Sequence, residues 1–302
     1  MKNLTFSVAI IATASILLFS CKKNSSSSNA ALNTIKSDPS LSIFTAIENR
    51  AGDDALFTDG YAYVIPTDSA FISFGLSSAA VSSLGQATCD SIVRYYMLPN
   101  GFSFSNTAGT ELGFGTNLSN TTLYADSTQT ALYFNGVSAT SLTPVVSGNS
   151  VIYKLNGMLN VPLASVTQIT AADPDLSLFN EAIIRTNLIA NFTGNAFTLL
   201  APTNEAFNAA GYPDVASIDA ADINSLTQLL LYHTISNRLF TNDMMQLTSI
   251  PTLQSGAITV TTSGGSLQLV GTSDPGSPAS ILDQAQLANN VVLYKINHVL
   301  TP

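Results

Sequence analysis

The decapeptide TLLAPTNEAF, residues 198–207, runs an apolar segment into a proline and continues as Thr-Asn-Glu-Ala-Phe. Pro202 has no ladder N–H and stops a strand, while the hydroxyl of Thr203 is placed to cap the turn that follows. Phe207 then falls where a helix turns inward. The same grammar occurs about 136 positions earlier in YVIPTDSAF, residues 63–71, where Pro66, Thr67 and Phe71 take the same places. Asn204 and Asp68 stand at the matching position of the two corners, and a short polar side chain there is expected to bond loop backbone.

The repetition extends in both directions. Upstream, DPDLSLFNEAIIRTNL from Asp173 matches DPSLSIFTAIENRAG from Asp38, each an Asp-Pro helix start followed by an apolar stripe. Downstream, DINSLTQLLLYHTISNR matches ATCDSIVRYYMLPNG. Leu226, Leu230 and His233 share one helical face, as do Cys89, Val93 and Tyr96. Both halves close on alternating β patterns, NSVIYKLNGMLNVP and NNVVLYKINHVLTP, at a shift of 141. The growth of the shift from 136 to 141 places a few extra residues in loops and β segments of the second copy. An α+β chain of two tandem units follows, with separate cores joined near residues 161–173.

The N-terminus reads differently. Lys2 precedes an apolar run ending in Leu18-Phe19-Ser20-Cys21, too short for a stable membrane span and followed by the polar KKNSSSSNAA. This resembles the lipobox of bacterial lipoproteins, which implies cleavage before Cys21 and lipidation of its thiol and amine. Residues 1–20 are thus expected to be a signal peptide, 21–36 a lipidated cysteine with a flexible Ser-rich tether, 37–163 the first unit and 164–302 the second. Cys89 is then left without a disulfide partner.

Charge and chemistry narrow the function. Formal net charge is −9, and once Lys2, Lys22 and Lys23 are set aside the remainder carries seven basic against 19 acidic residues, a net of −12. Phosphate binding needs clustered Lys and Arg, so nucleic acid is not expected as a partner. The only two histidines, His233 and His298, lie in repeated segments where a hydrogen-bonded core role accounts for His233 and Gly157 replaces His298 in the first copy. Two separated histidines make no zinc set, and the Asp173-Pro174-Asp175 triplet reads as a helix start before it reads as a calcium pair. GFGTNL at 113–118 lacks the third glycine of a phosphate loop. Adjacent Asp53 and Asp54 cannot face each other across a sugar ring. No catalytic residues, metal or cofactor are expected.

Taken in order, the two corners, the helix-end LLYH of Leu230, Leu231, Tyr232 and His233, and the closing strands resemble the fasciclin (FAS1) family over nearly the whole chain after the tether. The resemblance implies two tandem FAS1-like domains, each a β-wedge or sandwich with several packed helices. It implies that Pro66, Thr67, Asp68, Phe71, Tyr95 and Tyr96 in the first, and Pro202, Thr203, Asn204, Phe207, Tyr232 and His233 in the second, are mainly structural. The family's Tyr-His segment has also been linked with adhesion. Departures are Tyr96 in place of the histidine, Ser150 and Val291 in place of a glycine, and Tyr153 and Tyr294 in place of a second histidine. The function expected from the resemblance is non-enzymatic binding or adhesion by a lipoprotein held in a bacterial outer membrane, with a protein or glycan ligand. The alternative is an accessory glycan-binding lipoprotein of an outer-membrane polysaccharide uptake system in a Bacteroidota-like bacterium.

Overall fold

The computed structural model describes residues 30–99, 111–162, 164–191 and 196–302. Cys21, the signal segment and the tether up to residue 29 lie outside them, as does the end of the LPNG stretch.

The two corner strands, Ala62–Pro66 and Phe197–Pro202, are buried along their whole length. Continuously buried, mostly apolar runs of this kind suit parallel pairing, in which both faces are covered. Each strand lies parallel to the closing strand of its own half, Ser150–Leu155 or Val291–Ile296. Val64 faces Tyr153 and Pro66 faces Leu155, and in the second half Leu200 faces Tyr294 and Pro202 faces Ile296. The register thus repeats at the two shifts read from the sequence. In each half an antiparallel neighbour flanks each side of the pair, giving four strands with the parallel pair in the middle. A second, antiparallel four-stranded sheet completes each half, from Leu112–Gly115 to Val137–Ser138 in the first and from Ser249–Pro251 to Ala279–Ser280 in the second. Helices Ser42–Ala51 and Gln86–Tyr95 cover the first half, and Ser177–Arg185 with Ile223–Tyr232 cover the second. The architecture is α+β, two tandem copies of one fold.

Two boundaries differ from expectation. Residues 30–36, assigned to the tether, belong to a helix, Ala30–Ser37, whose Ala31, Leu32 and Ile35 enter the first core. Its counterpart Val166–Ala172, with a capping box at Ser165 and Gln168, occupies most of the expected connector. Both segments are short and polar enough to read as linker, yet each hides one apolar stripe.

The halves also touch. The buried residues of the first form one cluster and those of the second form two, and Tyr124 of the first half packs against the latter of these. Gly136 adopts φ +77°, and a Cβ there would lie 2.7 Å from Cβ of Phe240. Asn160 Nδ2 donates to the carbonyl of Ala285 across the same seam at 3.1 Å.

Candidate functional site

The corners act through backbone. Thr67 Oγ1 accepts from Ala70 N at 3.3 Å and Thr203 Oγ1 from Ala206 N at 3.2 Å, so each threonine caps the short helix that follows its proline. Asn204 reaches back to the Asp-Pro start. Its Oδ1 accepts from Leu178 N at 2.9 Å, and its Nδ2 donates to Pro174 O at 2.8 Å and Ser177 Oγ at 2.9 Å. Asp68 makes the corresponding pair, accepting from Ile43 N at 2.8 Å and Ser42 Oγ at 2.6 Å. Phe71 and Phe207 are fully buried. The PTNE stretch therefore joins strand, corner and two helix starts.

A lysine of the closing strand completes this junction in both halves. Lys154 Nζ lies 3.1 Å from Asp38 Oδ2, and Lys295 Nζ lies 2.8 Å from Asp173 Oδ2, so the closing strand is tied to the Asp-Pro cap in both halves. The matching lysines of YKL and YKI carried that signal. The Asp173 carboxylate caps Asp175 N at 2.9 Å and pairs with Lys295, and both bonds hold its pKa below the usual value against the opposing effect of burial.

At the helix ends, His233 is completely buried at the C-cap of Ile223–Tyr232. Its Nδ1 lies 2.8 Å from Leu229 O, and its Nε2 accepts from Leu300 N at 2.9 Å. A carbonyl only accepts and a backbone N–H only donates, so the ring is neutral with its proton on Nδ1. Burial pushes its pKa from 6.5 down to about 4. With both nitrogens engaged, the imidazole has none left for a substrate proton. Tyr96 does the same work in the first half: its hydroxyl donates to Leu159 O at 2.8 Å and accepts from Leu159 N at 2.9 Å. Leu159 and Leu300 are equivalent at the shift of 141, so two chemically different side chains pin the same backbone position. Removing the hydroxyl by Tyr96→Phe orphans a buried N–H and C=O while conserving volume. It is expected to cost about 1–3 kcal/mol in urea unfolding, and an unchanged midpoint would remove the hydroxyl from the account.

The preceding tyrosines are buried as well. Tyr232 OH donates to Ala257 O at 2.8 Å, and its ring lies against Gly256, where a Cβ would meet it at 2.7 Å. Tyr95 OH accepts from Asn135 Nδ2 at 2.8 Å. Cys89 is buried in the helical stripe, and burial raises its thiol pKa, which leaves a packing thiol rather than a nucleophile. His298 is partly exposed and lies 3.3 Å from Asp274, away from any equivalent in the first copy. Asp53 pairs with Arg94 and Asp54 with Lys36. Among the described residues, no group of three or more His, Cys, Asp or Glu is placed to hold a metal ion.

Polar chemistry concentrates instead on the seam between the halves, whose members lie too far apart in the chain to form a sequence motif. Arg238 bonds Glu111 Oε1 at 3.0 Å and stacks its guanidinium 3.4 Å from the ring centre of Tyr124. Next to it, Asn242 Nδ2 donates to Asp126 Oδ2 at 2.7 Å and to Asp243 Oδ1 at 3.1 Å, drawing carboxylates of both halves onto one amide. Burial and mutual repulsion push the pKa of Asp126 up to about 7, and burial raises Asp243.

The corner, the buried helix-end ring and the closing strand with its lysine recur together in the second half. Residues 174–302 match the fasciclin domain. The match starts at Pro174, the first residue after the Asp173 cap, and the first half repeats the strand order and register of the matched half. Among curated proteins, the chain is 28% identical over 155 residues to immunogenic protein MPB70 of Mycobacterium bovis, covering 49% of this chain and 72% of that protein. It is 27% identical over 178 residues to human periostin, covering 56% of this chain and 20% of periostin. A solved FAS1 domain pair from the insect cell adhesion molecule fasciclin I aligns over 90% of this chain and 97% of that one, at 16% identity and a TM-score of 0.42.

Proposed function

We propose that this chain is a non-enzymatic binding or adhesion protein held at a bacterial outer membrane by lipid on Cys21, with its two fasciclin-fold units displayed beyond the tether. The observation that carries the non-enzymatic part is the engagement of the motif: His233, Tyr232, Tyr95, Tyr96, Asn204 and Asp68 all direct their polar atoms into backbone or buried partners. Contact with a ligand then falls to exposed side chains such as Ile72, Phe74 and Val146. The anchoring rests on the lipobox-like LLFSC and the serine-rich segment after it. Cys21→Ala is expected to move the protein from the membrane fraction to the soluble fraction or to leave it unprocessed. A fully processed, membrane-bound variant would reject the anchor. Binding of the full chain in detergent to matrix-protein and glycan arrays tests the second half of the reading, and silence on both arrays rejects it.

One observation favours the alternative, glycan capture. A cleft of about 480 Å³ at the seam is lined by Asn156, Asn160, Gln284 and Gln286, with half-exposed Phe74 and Leu282 at its sides. Amides matched to sugar hydroxyls beside an aromatic face are the chemistry such a ligand requires. A glycan hit that survives Phe74→Ala removes this reading.

A further inference from the structure

The seam holds a second cavity, of about 580 Å³, whose walls include Glu111, Asp126, Arg238, Asn242, Asp243 and Leu247. Its charge is unbalanced: three carboxyl groups face one guanidinium, and Arg238 is already committed to Glu111 and to the Tyr124 ring. Its hydrogen bonding is unbalanced in the same sense. Asn242 is 92% buried, since only 8% of it is exposed, and must turn Nδ2 toward the two carboxylates, which leaves Oδ1 without a donor. Glu111 Oε2 is likewise buried without one. A buried acceptor left unpaired costs about 1–3 kcal/mol, so these oxygens mark where a donor is missing. Leu239 and half-exposed Leu247 supply apolar wall beside them.

We infer that this interdomain cavity binds an organic ammonium group on an alkyl stem, with the –NH₃⁺ set among Asp126, Asp243 and the carbonyl oxygen of Asn242 and the stem along Leu239 and Leu247. Its positive charge answers the excess of carboxyl groups, and its three donors reach the unpaired Asn242 Oδ1 together with the two aspartates. A metal ion does not fit as well, because the described residues offer no set of three ligands spaced to hold one. A free alkylamine and a lysine side chain of another protein share this chemistry. The site is separate from the membrane anchor and from the Phe74 cleft, so it stands or falls apart from the reading above.

Binding is also pH-dependent. The charged and titratable groups around the pair are Glu111, Arg238, Tyr124 and Tyr294, the last fully buried beside Asp243. Burial and the neighbouring Asp243 charge push Asp126 up to about 7, and burial raises Asp243, so a proton held there at lower pH competes with the ammonium.

Titration calorimetry of the full chain in detergent with n-butylammonium and with N-acetyl-lysine methylamide tests the site, with n-butanol and calcium chloride as controls. Saturable binding of either amine is expected, at least tenfold tighter at pH 8.5 than at pH 5.5, and weakened at least tenfold by Asp126→Asn. Binding of the lysine derivative alone identifies a protein side chain as the occupant, and binding of butylammonium alone identifies a free amine. Equal binding of butanol, preferential binding of calcium, or tighter amine binding at pH 5.5 overturns the proposal. So does an affinity unchanged in the Asp126→Asn protein. A thermal midpoint for that variant at pH 5.5 within a few degrees of the parent establishes that it is folded, so that lost binding reads as a lost site.

Discussion

Replacing His233 by alanine is expected to lower the stability of the second half by on the order of 2–4 kcal/mol, seen as a clearly lower urea midpoint for its unfolding. Two effects combine. The ring is fully buried at the C-cap beside Tyr232, and its removal leaves a void there. The same change orphans Leu300 N, in a residue only 1% exposed, and the Leu229 carbonyl. Against a typical domain stability of about 5–15 kcal/mol this is a large share. His233→Gln retains an amide oxygen able to accept from Leu300 and should recover part of the loss. Any ligand binding should disappear together with the fold. A variant with an unchanged urea midpoint and abolished binding would instead make His233 a contact residue.

The second large effect is a loss of stability as pH rises from about 4 to 7, originating at Asp126. Burial, with Asp243 and Glu111 nearby, raises its pKa from 3.8 to about 7, so the folded chain holds a proton that the unfolded chain has released. Stability from this group is complete below the unfolded value and is gone above the folded one. A shift of this size corresponds to at most roughly 4 kcal/mol. Glu48, buried beside Lys36 and raised by desolvation from 4.5 to about 7, acts with the same sign. His233 opposes both: its pKa is lowered from 6.5 to about 4, so the unfolded chain gains a proton first and stability falls as pH drops through that range. The parent's pH profile is therefore a partial cancellation, and the clean measurement is a difference. The stability of Asp126→Asn relative to the parent should rise from pH 4 to pH 7 and then level off. A difference that is flat across this window would mean that the two aspartates share no proton.

The mixed signs show why sequence reading reaches some features and not others. Periodicity, turn chemistry and an internal repeat are local or self-comparing signals, and they were enough for the strand ends at Pro66 and Pro202, the Thr67 and Thr203 caps, the inward Phe71 and Phe207, and the α+β duplication. They also led to a buried, paired His233, because a polar ring on a stripe with Leu226 and Leu230 needs partners. They did not supply the partners: Leu300 is 67 residues away, and Lys154 reaches Asp38 across 116. They misread residues 30–36 as tether because one short apolar stripe in a polar segment is a weak signal until a core receives it.

The amino-acid sequence by itself determined the repeated fold and the Thr67 and Thr203 caps of its corners, since each rests on residues close together or on one copy compared with the other. Only the tertiary structure decided the seam. Glu111, Asp126, Arg238, Asn242 and Asp243 follow no spacing rule, and each alone reads as a surface charge or amide. Their chemistry exists because packing removes them from water together, and desolvation depends on what lies across the gap, which the order of residues along a chain does not state.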